Sequence, residues 1–321
     1  MIMNRNIDKK FPITVIIPTI NAEGHLEELF DSVLPYVEDL YIVDSRSVDR
    51  TVDICLDRGV KIIQRPFKRP SEQLDWMIKN LPIKTPWIFD MAQDERFSDS
   101  LIVDFKRLFE EGIPDDVDCY AFKWRLWFMG EPLHAMSRVN RLLRKGRCHV
   151  SDVACDEHFY VDGKIVQLDG IVEHKDTLNL HQWYEKQNLW TTLGAVGRIT
   201  DCCQEEKLTP FGTWLQRKMF FKRVCIRTPI VGKLAMWMYY YFGFGAWKDG
   251  FAGWHWAQLR MWVNHVTDIK EKEFRKHGIP KCLPTARHGD FDPRIMQSDL
   301  QQQLLPDVVA EWRARESAMR V

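Results

Sequence analysis

The strongest constraint in this sequence is a strand with no polar face. Residues 13–18, ITVIIP, form an unbroken apolar run rich in β-branched side chains. Such a run is the mark of a strand buried on both sides, in a parallel sheet with helices above and below. The following residues supply those helices. Leu26, Leu29, Phe30, Val33 and Leu34 recur at helical spacing. A second strand, LYIVD (40–44), is followed by Asp49, placed to cap a helix through Val52 and Leu56. VKIIQ (60–64) is a third strand, and Leu74, Met77, Ile78 and Leu81 mark a third helix. PWIFD (86–90) is a fourth strand, and Leu101, Phe105, Leu108 and Phe109 a fourth helix. Alternation of this kind predicts βαβ units around a mostly parallel central sheet.

Beyond residue 115 the pattern changes. CYAFKWRLWF (119–128) reads as a strand, and residues 141–176 carry further short strands and turns. Leu180, Trp183, Tyr184, Gln187, Trp190 and Gly194 follow a helical period, and from about residue 205 the chain reads as aromatic-rich helix. This predicts an α/β domain over 1–204 and a helical region over 205–321, the latter a surface for a membrane or an acceptor. With 45% apolar and 28% charged residues the chain is globular, and its net charge of zero gives no electrostatic argument for nucleic acid. Eight cysteines without a C-x-x-C pair argue against a zinc ribbon or redox dithiol and for reduced, buried thiols. The N-terminus lacks the apolar core of a signal peptide, and the longest uncharged run, the 14 residues Leu234–Trp247, is too short to span a bilayer. A cytoplasmic protein is expected.

In parallel sheets ligands bind beyond the carboxyl ends of strands, where the strand order reverses. Three such ends are polar here: Thr19-Ile20-Asn21, Asp44-Ser45-Arg46-Ser47, and Asp90 to Glu95. Asp49 suits a helix cap, whereas Asp44, still inside its strand, suits contact with a base or ribose. In DMAQDE the side chains at 90, 92 and 94 share one face of an extended chain. Asp94 beside Glu95 either meets a cation, such as Mg²⁺ or Mn²⁺ carried by a diphosphate, or starts a solvated turn before a helix at Ser98.

Five blocks in order, ITVIIPTINAEGHLEELFDSV, LYIVDSRSVDRTVDI, GVKIIQRPF, EQLDW and LPIKTPWIF…QDERFSDSL, resemble the family 2 glycosyltransferases of GT-A fold. Within that family they are most similar to the bacterial lipopolysaccharide-core β-glucosyltransferase (WaaE/KdtX-like) group. The resemblance covers roughly residues 11–200, with an echo at 247–262. It implies that Pro18, Thr19, Asn21 and Glu23 form a nucleotide-side loop, that Asp44 meets the base, and that Gln73 lines the donor pocket. Asp94 then matches the metal-binding acid of the family's D-x-D-E motif, with Glu95 beside it. The sequence departs from that motif at Ala92, where the first acid is missing, and Asp90 is the nearest substitute.

Asp156-Glu157-His158 resembles the family's D-E-H block. An inverting transferase needs a carboxylate to take the acceptor's hydroxyl proton; Glu157 is preferred and Asp156 is the alternative. His174 either faces phosphates or a metal or is a structural histidine at a strand end. Lys68 and Arg69 either neutralise a diphosphate or form a solvated basic loop. Residues 207–233 hold seven Lys or Arg and no acid, interleaved with Trp214, Phe220 and Phe221, which suits an anionic bilayer or an aromatic core with snorkelling cations. The expected activity is transfer of a hexose from a nucleotide sugar, UDP-linked, to a growing bacterial surface glycan or glycolipid such as lipopolysaccharide core, at the inner face of the cytoplasmic membrane. Two rivals are a sugar-nucleotide nucleotidyltransferase, whose phosphate loop PTINAEGHLEE lacks, and a non-catalytic glycan- or membrane-binding protein of the same fold.

Overall fold

The structure, a computed structural model, describes residues 9–150, 159–175, 179–200, 210–211, 220, 231–280 and 288–319. The apolar runs form the expected parallel strands β1 (Phe11–Thr19), β2 (Val37–Asp44), β3 (Lys61–Gln64) and β4 (Trp87–Asp90). Between them lie α1 (Glu23–Val33), α2 (Thr51–Asp57) and α3 (Pro70–Asn80). A short β5 (Glu95–Phe97) precedes α4 (Asp99–Glu111), whose first turn is capped by Ser98 Oγ accepting from Leu101 N. The long hairpin β6 (Val117–Phe128) and β7 (Glu131–Arg144) follows, then a small pair β8 (Cys148–Val150) and β9 (Phe159–Val161), and finally β10 (Lys164–His174).

The main sheet runs in the order β3-β2-β1-β4-β7-β6-β10-β5. Its β1–β2, β2–β3, β1–β4 and β6–β10 pairs are parallel, and β7 is inserted antiparallel between β4 and β6. The architecture is therefore the α/β layout around a mostly parallel sheet expected from the sequence, with a helical C-terminal region. The chain leaves β1 toward β2 and β3, then returns to β4 on the other side of β1. Strand order reverses there, and the crevice it opens lies at Thr19 and Asp90. Under the sheet, Phe89, Phe97, Phe105 and Phe122 pack in edge-on and tilted pairs with centroids 5.0–6.1 Å apart and fix the floor of this end. Cys55, Cys119 and Cys148 are buried free thiols, and burial raises their pKa to about 12, 12 and 11.

The helices α5 (Leu180–Ile199), α6 (Val231–Met238) and α7 (Gly250–His277) form a second, aromatic-rich layer, with α5 packed along α7. The chain then returns to the first layer through α8 (Pro293–Met296), α9 (Asp299–Leu304) and α10 (Pro306–Met319). This return differs from a simple division at residue 205, because residues 288–319 complete the edge of the α/β sheet. Gln301 Oε1 accepts from Gln64 N at 2.9 Å, and Gln301 Nε2 donates to Gln64 O at 2.8 Å. Gln64 Oε1 in turn accepts from Asp292 N at 2.6 Å. One glutamine thus satisfies both ladder groups of an edge strand that would otherwise lie open. Replacing Gln301 by Ala strands a buried N–H and a buried C=O. At about 1–3 kcal/mol per group, the expected loss is about 2–6 kcal/mol, read as a lower urea midpoint with an unchanged slope.

Candidate active site

The loops after β1 and β2 are stitched together by side chains that bond the opposite backbone. Asn21 N donates to Ser47 Oγ at 2.8 Å, and Val48 N to Asn21 Oδ1 at 2.9 Å. Glu23 N donates to Asp49 Oδ2 and Arg50 N to Glu23 Oε2, both at 3.0 Å. Asp49 Oδ1 also takes Thr51 N, in the first turn of α2. Asn21 and Arg46 hold positive φ angles of 49° and 64°, sharp corners that this lattice maintains. Asn21 and Glu23 are therefore joints of the crevice wall, beside half-buried Pro18.

Asp44 is fully buried, and both carboxylate oxygens have partners inside the protein. Oδ2 accepts from Ser47 N at 3.0 Å and Gln64 Nε2 at 2.8 Å, while Oδ1 accepts from Ser47 Oγ. Burial raises its pKa, and these bonds offset only part of that rise. The acid inside the strand end closes the loop that follows it.

At the end of β4 the acids divide by counter-ion. Arg141, on β7, reaches Asp90 Oδ2 at 2.6 Å and Glu95 Oε1 at 2.5 Å. Glu95 also accepts from Trp124 Nε1 at 2.8 Å and from Ala92 N at 2.9 Å, so it closes its own turn. Gln93 exchanges two hydrogen bonds with the Ile20 peptide and ties this turn to the β1 loop. Asp94 turns elsewhere: its Oδ2 accepts from Lys186 Nζ of α5 at 2.7 Å, and its Oδ1 lies 3.4 Å from His174 Nε2. The His174 ring packs on Trp124 with centroids 4.3 Å apart. Burial pushes the Asp94 carboxyl up, but the positive charge of Lys186 and His174 outweighs it and holds Asp94 well below the usual range.

The α3 side of the crevice carries unmet hydrogen-bonding capacity. Thr19 Oγ1, Ser71 Oγ and Gln73 Nε2 are buried with no hydrogen-bond partner in the protein. Gln73 Oε1 accepts from Arg65, which also pairs with Glu72 and lies 5.1 Å over the Trp76 ring. Arg69 sits at the N-cap of α3 in extended conformation, with Lys68 exposed beside it. Orphaned buried donors and acceptors at a strand-end crevice suit a polar ligand.

Asp156, Glu157 and His158 lie outside the described residues, as does most of the basic tract 207–233. Among the described residues no group of three His, Cys, Asp or Glu could hold a metal ion. At the crevice Asp94 and His174 converge, giving one carboxylate oxygen and one imidazole nitrogen. That donor set fits a divalent cation that arrives with a diphosphate and keeps phosphate and water ligands; it is too small to hold a cation alone. Asp90, the nearest acid to the place left by Ala92, pairs through Oδ2 with Arg141. Arg141 and Lys186 escaped the sequence reading, because a basic residue in a strand or on a helix looks like an ordinary solvated charge.

Residues 14–125 match the family model described as glycosyl transferase family 2. An uncharacterised glycosyltransferase of Rickettsia typhi is 24% identical over 230 residues, covering 66% of this chain and 77% of its own length. A similar protein of Rickettsia felis is 24% identical over 251 residues, covering 74% and 83%. Among solved structures, S. aureus TarS 1–349 in complex with UDP is 13% identical, covering 88% of this chain and 100% of its own, with a TM-score of 0.39. Glucosyl-3-phosphoglycerate synthase from Mycobacterium tuberculosis, in complex with Mn²⁺, UDP and glucosyl-3-phosphoglycerate, is 13% identical, covering 62% and 82%, with a TM-score of 0.38.

Removing Arg141 tests the division of charge. Arg141→Met leaves Asp90 and Glu95 buried without their counter-ion, an expected loss of about 3–5 kcal/mol near neutrality. Urea titration near neutrality reads this loss. The lowered value of Asp94 stabilises the fold above the ordinary carboxylate range, and that contribution fades as pH falls through the folded value.

Proposed function

We propose that this chain, whose residues 14–125 match the glycosyl transferase family 2 model, moves a hexose from a UDP-sugar to an acceptor hydroxyl with inversion at the anomeric carbon. The observation that carries the reading is the Asp94–His174–Lys186 cluster at the reversal of strand order, facing a crevice with orphaned polar groups. Thr19, Ser71 and Gln73 would receive the nucleoside, with Asp44 holding the loop that meets the base. Lys186 and His174 would meet the diphosphate, with Arg69 at the α3 end of the crevice.

The reaction forms a bond from the acceptor oxygen to the anomeric carbon as the bond to the diphosphate oxygen breaks. The acceptor proton goes to a carboxylate, for which Glu157 or Asp156 remains the candidate, and the electron pair leaves on the diphosphate. Positive charge preorganised at the departing oxygens lowers this barrier. Lys186 Nζ, held 2.7 Å from buried Asp94, is fixed by that pair for such a role. Mn²⁺ or Mg²⁺, when bound, would add Lewis-acid stabilisation of the same oxygens, with Asp94 and His174 as its protein ligands.

The acceptor in this reading is a growing bacterial surface glycan or glycolipid, such as lipopolysaccharide core, met at the inner face of the cytoplasmic membrane. No described helix is long and apolar enough to cross a membrane. Peripheral contact is supported by the exposed aromatic side chains Tyr239, Phe242 and Trp247.

A panel of nucleotide sugars, with and without Mn²⁺, tests the proposal by thermal shift and by release of nucleoside diphosphate. UDP-sugars should stabilise the protein and turn over, and Asp94→Asn should cut turnover on the order of 10²-fold. No stabilisation and no turnover with any donor would overturn the reading.

A further inference from the structure

A second concavity opens beside the crevice, in the aromatic layer. It has a volume of about 860 Å³ and lies between the turn after β6, α5, α6 and α7. Tyr184, Trp237, Trp254 and Trp262 wall it, and no Lys, Arg, Asp or Glu is among its described lining residues. The walls are braced: Tyr184 meets Trp262 edge-on at 5.3 Å and Trp237 meets Trp254 at 4.9 Å. Phe251 and Trp254 nevertheless remain 70% and 41% exposed. Apolar surface on this scale, shaped as a cleft and left open, marks a binding site rather than a core.

Two features identify the occupant. The first is continuity with the crevice. Leu180 and Tyr184 line the groove from the first turns of α5, and another face of the same helix delivers Lys186 to Asp94. Phe128 lines it from the end of β6, whose parallel neighbour β10 ends at His174. A molecule with an apolar part in the groove can therefore reach the transfer site with its polar part. The second feature is charge. Between residues 231 and 267 the only carboxylate is Asp249, buried and bonded to the backbone N of His134 at 2.9 Å. Lys233, Lys248 and Arg260 lie in the same stretch, so residues 231–267 offer an anionic headgroup three cations and one buried, bonded acid; the other acids of the layer, Glu185, Asp268, Glu271 and Glu273, lie outside it.

We propose that the groove binds the hydrocarbon chain of an anionic, lipid-linked acceptor and so presents that acceptor's head to the Asp94 crevice. The assignment of the chain to an acceptor rests on the transferase reading above. It makes a single lipid molecule, rather than a bare sugar, the substrate that the site selects.

Farnesyl phosphate, kept below its micellar range, is a suitable probe, titrated into the full chain and followed by tryptophan emission. Binding should be saturable and indifferent to added inorganic phosphate. Leu180→Glu and Met261→Glu, on separate helices of the groove, should each weaken it roughly tenfold or more, with unfolding curves confirming that they fold. Val103→Glu, exposed on α4 and outside the groove, should leave it unchanged. Absence of saturable binding, competition by phosphate alone, or an equal loss in Val103→Glu would overturn the proposal, the last by showing that the loss is not specific to the groove. A wild-type dimer that Leu180→Glu dissociates would also overturn it, by giving the groove to a second copy. Thermal shift with UDP on the same proteins reads the transferase reading separately: lipid binding without any UDP stabilisation would overturn that reading and leave the lipid groove standing.

Discussion

At the carboxyl end of β4 the chain buries Asp90, Asp94 and Glu95 within six residues, and Arg141 permits it. A buried carboxylate without a counter-ion costs several kcal/mol, so a cluster of this density exists only where cations are delivered from elsewhere. Arg141 can arrive because β7 runs antiparallel to β4, pairing Phe89 with Leu142. The inserted hairpin is therefore what makes the acidic end of β4 tolerable. With Asp90 and Glu95 neutralised by Arg141, Asp94 is left to Lys186 and His174. Both come from elements that follow the hairpin, and both stand at the mouth of the crevice.

Much of this was legible in the sequence. Continuous apolar runs can only be strands buried on both faces, and ITVIIP, LYIVD and PWIFD became three of the four parallel strands at the reversal point. The long strand Glu131–Arg144 was not legible, since EPLHAMSRVNRLLR follows neither a period of two nor a continuous run. Arg141 went unseen with it. Lys186 occupies a polar position in LHQWYEKQNLW, where a solvated lysine looks the same. Gln301 reaches a strand 237 residues earlier, a contact that local pattern cannot encode. For Asp44 the local pattern shows an acid at a strand end, but not that Ser47 and Gln64 hydrogen-bond both of its oxygens.

The C-terminal part of the chain has two tasks that its helical composition alone does not separate. Residues 288–319 return to the first layer, where His288 Nδ1 lies 2.6 Å from Ser45 O and Gly289 N donates to Arg46 O at 2.7 Å. They brace the β2 loop from behind. Helices α6 and α7 instead gather aromatic side chains around an open groove, and α5 links that groove to the Asp94 cluster. Hydrophobic and charged recognition thus meet along one helix.

The central claim is that Asp94, and not the Arg141-bound pair, organises the charge that receives a donor diphosphate. Equilibrium titration of UDP into wild type and Asp94→Asn, in the presence of Mn²⁺, tests it most directly. The account predicts at least roughly tenfold weaker binding by Asp94→Asn. Equal affinity in the two proteins would contradict it.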